Sequence, residues 1–299
     1  MGQYRCLVSD ARASSTAPSR SSLPWPHQPT RRRPLPSAHR PCRAHRFLYW
    51  AGRGRRCEAA AVDIPGWTVQ GDAQVRLEWG SNGVEAVVAD FVVIVDVLRF
   101  TTAVEAATTA GAAVYPYRWN DGSAAEFAST VEAVLADSRD PGPSLSPVRL
   151  CGARPGDRIV LPSPNGSNCA AVAAELGATV VAACLRNVAA VASWLNNQGG
   201  TVAVIPCGER WSDGSLRSSL EDYLGAAMVV SRLKGSRSAE AEMAAGTASA
   251  VEDRIEDLVR RSASGCEMVA RQWGGDLDYA VAVGASDTVP VLTGAAFIG

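Results

Sequence analysis

The sequence predicts an α/β fold: a single domain with a mostly parallel or mixed sheet flanked by helices, a C-terminal helical segment and a disordered N-terminal tail. Three observations lead to it. From about Val62 onward, short apolar runs alternate with helix-patterned segments of about 10 to 15 residues, the rhythm of βαβ units. The clearest run, residues 91–96 (FVVIVD), is apolar until its final carboxylate, as a strand buried on both faces of a parallel sheet requires. Residues 1–61, by contrast, are rich in Arg, Pro, Ser and Ala and follow neither the strand nor the helix period.

Composition limits the function classes. An apolar share of 47% and a net charge of -1 are ordinary for a globular protein, so the overall balance points to no partner. The charge is unevenly spread. Residues 1–60 hold twelve arginines against Asp10 and Glu58, a surplus of +10 that leaves -11 on the remainder. Such a tail cannot bury enough apolar surface to offset its ordering entropy. As a basic arm it would bind nucleic acid through counterion release. A mis-assigned start in GC-rich DNA accounts for the composition better, and nucleic acid is not expected as a partner. Eight cysteines without a CxxC pair or dense framework, several inside apolar patterns, suit a reducing, cytoplasmic setting. No apolar run reaches the roughly 18 residues of a spanning helix, so no membrane role is expected.

The domain, residues 62–299, opens with QVRLEW at 74–79, an alternating edge strand, followed by a turn at Ser81, Asn82 and Gly83. The strand 91–96 leads to a helix that Thr101 or Thr102 is placed to cap and that ends at Gly111. A strand at 112–117, a helix at 123–137 and a Pro/Gly/Ser-rich loop at 138–147 come next. Strands at 158–161, 179–183 and 201–206 then alternate with helices at 167–176, 188–197 and 220–233. Residues 239–273 are helical with a break near 262–265, and a short apolar segment at 287–292 closes the chain.

Four strand-to-helix turns carry polar residues, and a parallel sheet would bring all four to one edge. These are Asp96 to Arg99, Pro162 to Ser167, Cys184 to Asn187, and Cys207 to Arg210 running on to Ser219, Glu221 and Asp222. The carboxylates of Asp96, Glu209, Glu221 and Asp222 suit a hard cation such as Mg²⁺. Arg99, Arg186 and Arg210 suit an oxyanion, and the Asn165-Gly166 turn can offer backbone N–H groups to a phosphate. Each also has a structural explanation, Ser219 with Asp222 being a variant capping box. All three histidines lie in the tail, and GxSxG, Walker A, GxGxxG and His/Cys zinc patterns are missing. Serine hydrolases, P-loop enzymes, dinucleotide binders and zinc enzymes are therefore disfavoured, whereas carboxylate-and-metal phosphoryl chemistry needs none of these parts.

The blocks VVIVDVLRFTTAVEAATTAGA, LPSPNGSNCAAVAAELGA, ACLRNVAAVASWL and VIPCGERWSDGSLRSSLEDYLGAAMVV together resemble the 2-phosphosulfolactate phosphatase family, over about residues 75–292. The resemblance implies an α/β, Mg²⁺-dependent enzyme releasing phosphate from 2-phospho-3-sulfolactate. It matches Asp96 and Arg99 to the family's DVLR block, Asn165 and Gly166 to its NG block, Asn187 to the Asn at its helix start, and Glu221 and Asp222 to its ED pair. The family's Gly-Glu-Arg block is not recognisable near 138–147, where Ser146 and Pro147 alone persist, so the organic part of the substrate is less defined. The expected roles follow. Asp96, with Glu221 or Asp222, holds Mg²⁺ and orients water. Arg99 and the Asn165-Gly166 backbone bind the phosphoryl group, and Arg186 or Arg210 takes a sulfonate or carboxylate. Ser146 and Asn187 complete the substrate contacts. Whether Asp96 is instead a nucleophile stays open, as do a different small phosphorylated acid, a non-catalytic anion-binding role and a homo-oligomer.

Overall fold

The computed structural model describes residues 65–136 and 145–299. The tail and most of the loop at 138–147 lie outside the described residues. In chain order the elements are β1 (Val75–Leu77), α1 (Gly80–Ala86), β2 (Phe91–Val95), α2 (Phe100–Thr109), β3 (Ala113–Tyr117), α3 (Ser123–Thr130), β4 (Val134–Leu135), α4 (Pro147–Leu150), β5 (Arg158–Pro162), α5 (Gly166–Glu175) and β6 (Thr179–Ala183). They continue through α6 (Val188–Gln198), β7 (Val202–Pro206), β8 (Glu209–Arg210), β9 (Leu216–Arg217), α7 (Leu220–Arg232), α8 (Ala239–Val251), α9 (Ile255–Arg261), α10 (Ala263–Ala270), α11 (Gly274–Ala280), β10 (Val291–Thr293) and β11 (Ala296–Ile298).

Nine strands form one mixed sheet in the order β1-β7-β2-β6-β10-β11-β3-β5-β4, and β8 pairs with β9 in a separate hairpin. β1, β7, β2 and β6 are mutually parallel, and so are β3, β5 and β4. The alternation along β2 explains the layering. Val93 and Val95 enter a core with α6, α7 and α8, while Val92 and Ile94 enter a second core with α2 and α5 on the other face.

Several expectations are corrected. The expected turn at Ser81 to Gly83 lies inside α1, where Gly83 lets the helix pass so close to Glu78 that a Cβ would stand 2.7 Å from its Cγ. α3 ends at Thr130, and the chain then adds a two-residue edge strand, β4, on β5. The segment at 287–292 is not a terminal strand at an edge. Its end, β10, forms a hairpin with β11 that is wedged between β6 and β3, antiparallel to both. These strands of three residues are too short to display a period.

The hairpin also overturns the parallel-sheet argument for one common edge. Three successive antiparallel pairings, β6 to β10 to β11 to β3, reverse the second parallel block relative to the first. The ends of β2, β6 and β7 share an edge, but β5 lies five places from β2. A flat sheet would separate those two strands by about 24 Å. The turn after β5 nevertheless meets the turn after β2, the Gly166 amide donating to Asp96 Oδ2 at 2.9 Å, and α2 and α5 share one core with Ile94 and Leu161.

Among the described residues all five cysteines are free, and no helix is long and apolar enough to cross a membrane. Phe297 of β11 is fully buried and meets Phe100, the first residue of α2, edge to face at 6.4 Å between ring centroids. Replacing it with alanine removes the contact that couples the wedge to α2. Phe297→Ala should cost about 3 to 5 kcal/mol of stability, read from urea unfolding curves.

Candidate active site

The turn after β2 is built around Asp96. Its Oδ1 accepts from the Phe100 amide at 3.1 Å, and its Oδ2 from the Gly166 amide at 2.9 Å and the Ser163 hydroxyl at 3.5 Å. Asp96 thus satisfies the first amide of α2, whose N-cap position is Arg99. Thr101 and Thr102, expected to cap α2, instead donate their hydroxyls to the carbonyls of Asp96 and Val97. The Leu98–Arg99 peptide bond in this turn is cis.

Asp222, in the first turn of α7, is held in the same manner. Its Oδ1 accepts from the Val97 amide at 2.7 Å and its Oδ2 from the Gly208 amide at 2.9 Å. Two glycines make these contacts possible. A Cβ on Gly166 would stand 2.2 Å from the Phe100 ring and 2.8 Å from Asp96 Oδ2. At Gly208, with φ of 68°, it would stand 2.7 Å from Leu216 Cδ1. α7 can approach because Gly225 packs against Val95 and Val97, where a Cβ would lie within 3.0 Å of both side chains.

Four carboxylates sense one another here. Asp96, Glu221 and Asp222 are all buried, at 6%, 1% and 3% exposure. Burial raises Asp96 to about 6 despite its amide bonds, and the Glu221 charge adds to the rise. Asp222 is pushed well above the usual carboxylate range by burial and by the charges of Asp96 and Glu221. Glu209, on β8, is raised to about 7 by burial, Asp96 and Glu221, against the opposing pull of Arg217. Its Oε2 accepts from Asn165 Nδ2 at 3.0 Å. The Glu221 Oε2 is buried with no hydrogen-bond partner. An orphaned carboxylate oxygen among like charges is costly unless a cation serves it. Among the described residues no group of three or more His, Cys, Asp or Glu forms a ready cation cage. Mg²⁺ does not demand one, since it commonly takes one or two carboxylates and completes its shell with water.

The structure sorts the remaining expected residues. Asn165 and Gly166 are at the cluster, but their amides do not face an incoming phosphate: Asn165 N donates to Ser163 Oγ and Gly166 N to Asp96. The capping box is not formed, since the Ser219 side chain makes no cap bond to α7 and Asp222 is engaged by the Val97 and Gly208 amides. Arg210 reaches the Pro164 carbonyl at 3.3 Å from the exposed hairpin. Asn187 is a structural residue. Its Oδ1 accepts from the Cys184 amide, and its Nδ2 donates to the Ala182 and Thr288 carbonyls. Arg186 is engaged with buried Glu105 at 3.0 Å and with the Tyr279 carbonyl and ring. Arg99 pairs with Asp276 at 2.9 Å, and Ser146 donates to the same carboxylate.

Sequence reasoning singled out neither Ser163 nor Arg217. Ser163 bridges Asp96 and the Asn165-Gly166 amides, and its position two residues before Asn165 is the signal of such a turn. Arg217 lies opposite Glu209 across the β8-β9 hairpin, a pairing that two-residue strands do not announce.

A family model described as 2-phosphosulpholactate phosphatase matches residues 82–295. A protein of Carboxydothermus hydrogenoformans named "Probable 2-phosphosulfolactate phosphatase" is 29% identical over 208 residues, covering 67% of this chain and 84% of its own.

The electrostatics of the cluster set a pH dependence. Glu209 binds its proton more tightly in the folded than in the unfolded chain, so its contribution to stability is lost as pH rises from about 4.5 to about 7. In EDTA, Glu209→Gln should flatten the fall of Tm across that window relative to the parent chain. Parallel Tm profiles for the two proteins would show that Glu209 is not strained by its neighbours.

Proposed function

The chain belongs to the 2-phosphosulpholactate phosphatase family, and from that premise we propose that it is a Mg²⁺-dependent hydrolase converting 2-phospho-3-sulfolactate to sulfolactate and phosphate. The family and the similar protein make it a phosphoric monoester hydrolase; the metal and the particular ester are the proposal. One observation supports the metal above others: the buried, partnerless Glu221 oxygen beside Asp96, Asp222 and Glu209. Such a donor set is all oxygen and short of positive charge, which suits a hard divalent cation. Asp96, with Glu221 or Asp222, would hold it, water completing the shell. Asp96 and Asp222 keep acceptor capacity for this role, because a carboxylate oxygen that takes one N–H retains a second lone pair.

Bound there, Mg²⁺ would neutralise charge on the phosphoryl group and make water a better nucleophile. The chain's own residues supply position and charge. Backbone amides fix Asp96 and Asp222, so neither has to reorganise during the reaction. Arg210 and Arg217, on the hairpin that carries Glu209, furnish guanidinium donors for the phosphoryl oxygens. Hydrolysis joins the water oxygen to phosphorus and breaks the ester P–O bond. Glu209, anchored through Oε2 by Asn165, is placed to give a proton from Oε1 to the departing alkoxide and regain one from the attacking water.

Phosphate release from 2-phospho-3-sulfolactate, with and without Mg²⁺, tests this reading. EDTA should abolish turnover and added Mg²⁺ should restore it. Asp96→Asn should lower kcat by at least about a hundredfold in a folded protein. Near-parental turnover in that variant would remove Asp96 from the site. Rapid quench should trap no phosphoprotein; a trapped one would make Asp96 the nucleophile.

A further inference from the structure

Two arginines leave adjacent strand ends. Val95 of β2 and Ala183 of β6 are paired in the sheet, and Arg99 and Arg186 follow them by four and three residues. Both are held by the segment around α11, in different ways. Arg186 spends Nε on Glu105 and Nη1 on the Tyr279 carbonyl, and lies 3.7 Å from the centroid of the Tyr279 ring. That is a buried structural pair.

Arg99 is held more sparingly. Nη1 donates to Asp276 Oδ2 at 2.9 Å, and the guanidinium carbon lies 4.0 Å from the centroid of the Trp273 ring. Among the described residues Arg99 has no other partner, so Nε and Nη2 are uncommitted. Asp276, itself buried, is fully engaged: its Oδ1 takes the Ser146 hydroxyl and the Val148 amide. A guanidinium fixed at one corner by an ion pair and on one face by an indole presents its remaining edge as a rigid fork. That edge matches two oxygens of a carboxylate or a sulfonate. The fork arises from the same turn as Asp96, three residues beyond the carboxylate around which the cluster is built.

We propose that Arg99, aimed by Asp276 and Trp273, is the subsite for the second anionic group of the substrate, and that it selects acidic phosphate esters over neutral ones. This rests on the phosphatase reading above. Arg99 binds substrate; Asp276 and Trp273 are positioning residues.

The test compares 2-phospho-3-sulfolactate, 2-phospholactate and glycerol 2-phosphate in the parent chain, Arg99→Lys, which keeps the charge but not the fork, and Asp276→Asn. The ratio of kcat/KM for phosphosulfolactate over glycerol 2-phosphate should fall at least about tenfold in both variants, with the loss in KM rather than kcat. A parallel loss on 2-phospholactate assigns the carboxylate to Arg99; a loss confined to phosphosulfolactate assigns the sulfonate. An unchanged ratio in variants whose Tm shows them folded overturns the subsite. If the parent chain releases phosphate from none of the three, the phosphatase reading fails by itself. Calorimetric binding of sulfolactate then decides: weakening in Arg99→Lys supports the subsite, and equal binding overturns it.

Discussion

Everything at the active edge depends on two carboxylates that have been taken out of water and given backbone amides in exchange. Asp96 is held by amides from its own turn and from the start of α5, Asp222 by amides from the Asp96 turn and from the end of β7. Three separate strand ends are thereby tied through two side chains. The amide bonds favour the ionised carboxylates, while burial and mutual repulsion oppose it, and for Asp96 and Asp222 the second influence prevails. The resulting electrostatic tension is what a cation or a proton relieves, so one arrangement serves both the fold and the chemistry.

Such closeness is permitted by missing side chains. Gly166 allows α5 to start against the Phe100 ring, and Gly225 allows α7 to lie on Val95 and Val97. Rigid elements, rather than a mobile loop, therefore carry Asp96 and the Glu221-Asp222 pair, which suits a reaction whose rate comes from positioning. The β8-β9 hairpin is the exception. It brings Glu209 and Arg217 to the rim on two-residue strands, with Trp211 and Leu216 exposed.

The parts legible in the sequence were those where local and tertiary demands agree. β2, β6 and β7 are buried on both faces and read as apolar runs, and Asp96 stands out because it ends one of them. What stayed hidden was decided by partners distant in the chain. Nothing local to Gly166 says that its amide belongs to a carboxylate seventy residues earlier. Asn187 looks like a functional amide, yet it ties the β6 turn to Thr288, and Arg186 looks like a ligand for a sulfonate or carboxylate although it neutralises Glu105. Ser81, Asn82 and Gly83 have turn chemistry, but packing against β7 and α5 makes them helical, an override that propensity cannot anticipate.

The wedge made by β10 and β11 bears on how the molecule is made. Within the sheet the two parallel blocks are joined through residues 291–298, so until that stretch is in place β6 and β3 each keep an unpaired margin. Completion of the sheet is then a late, long-range event, slow by its contact order.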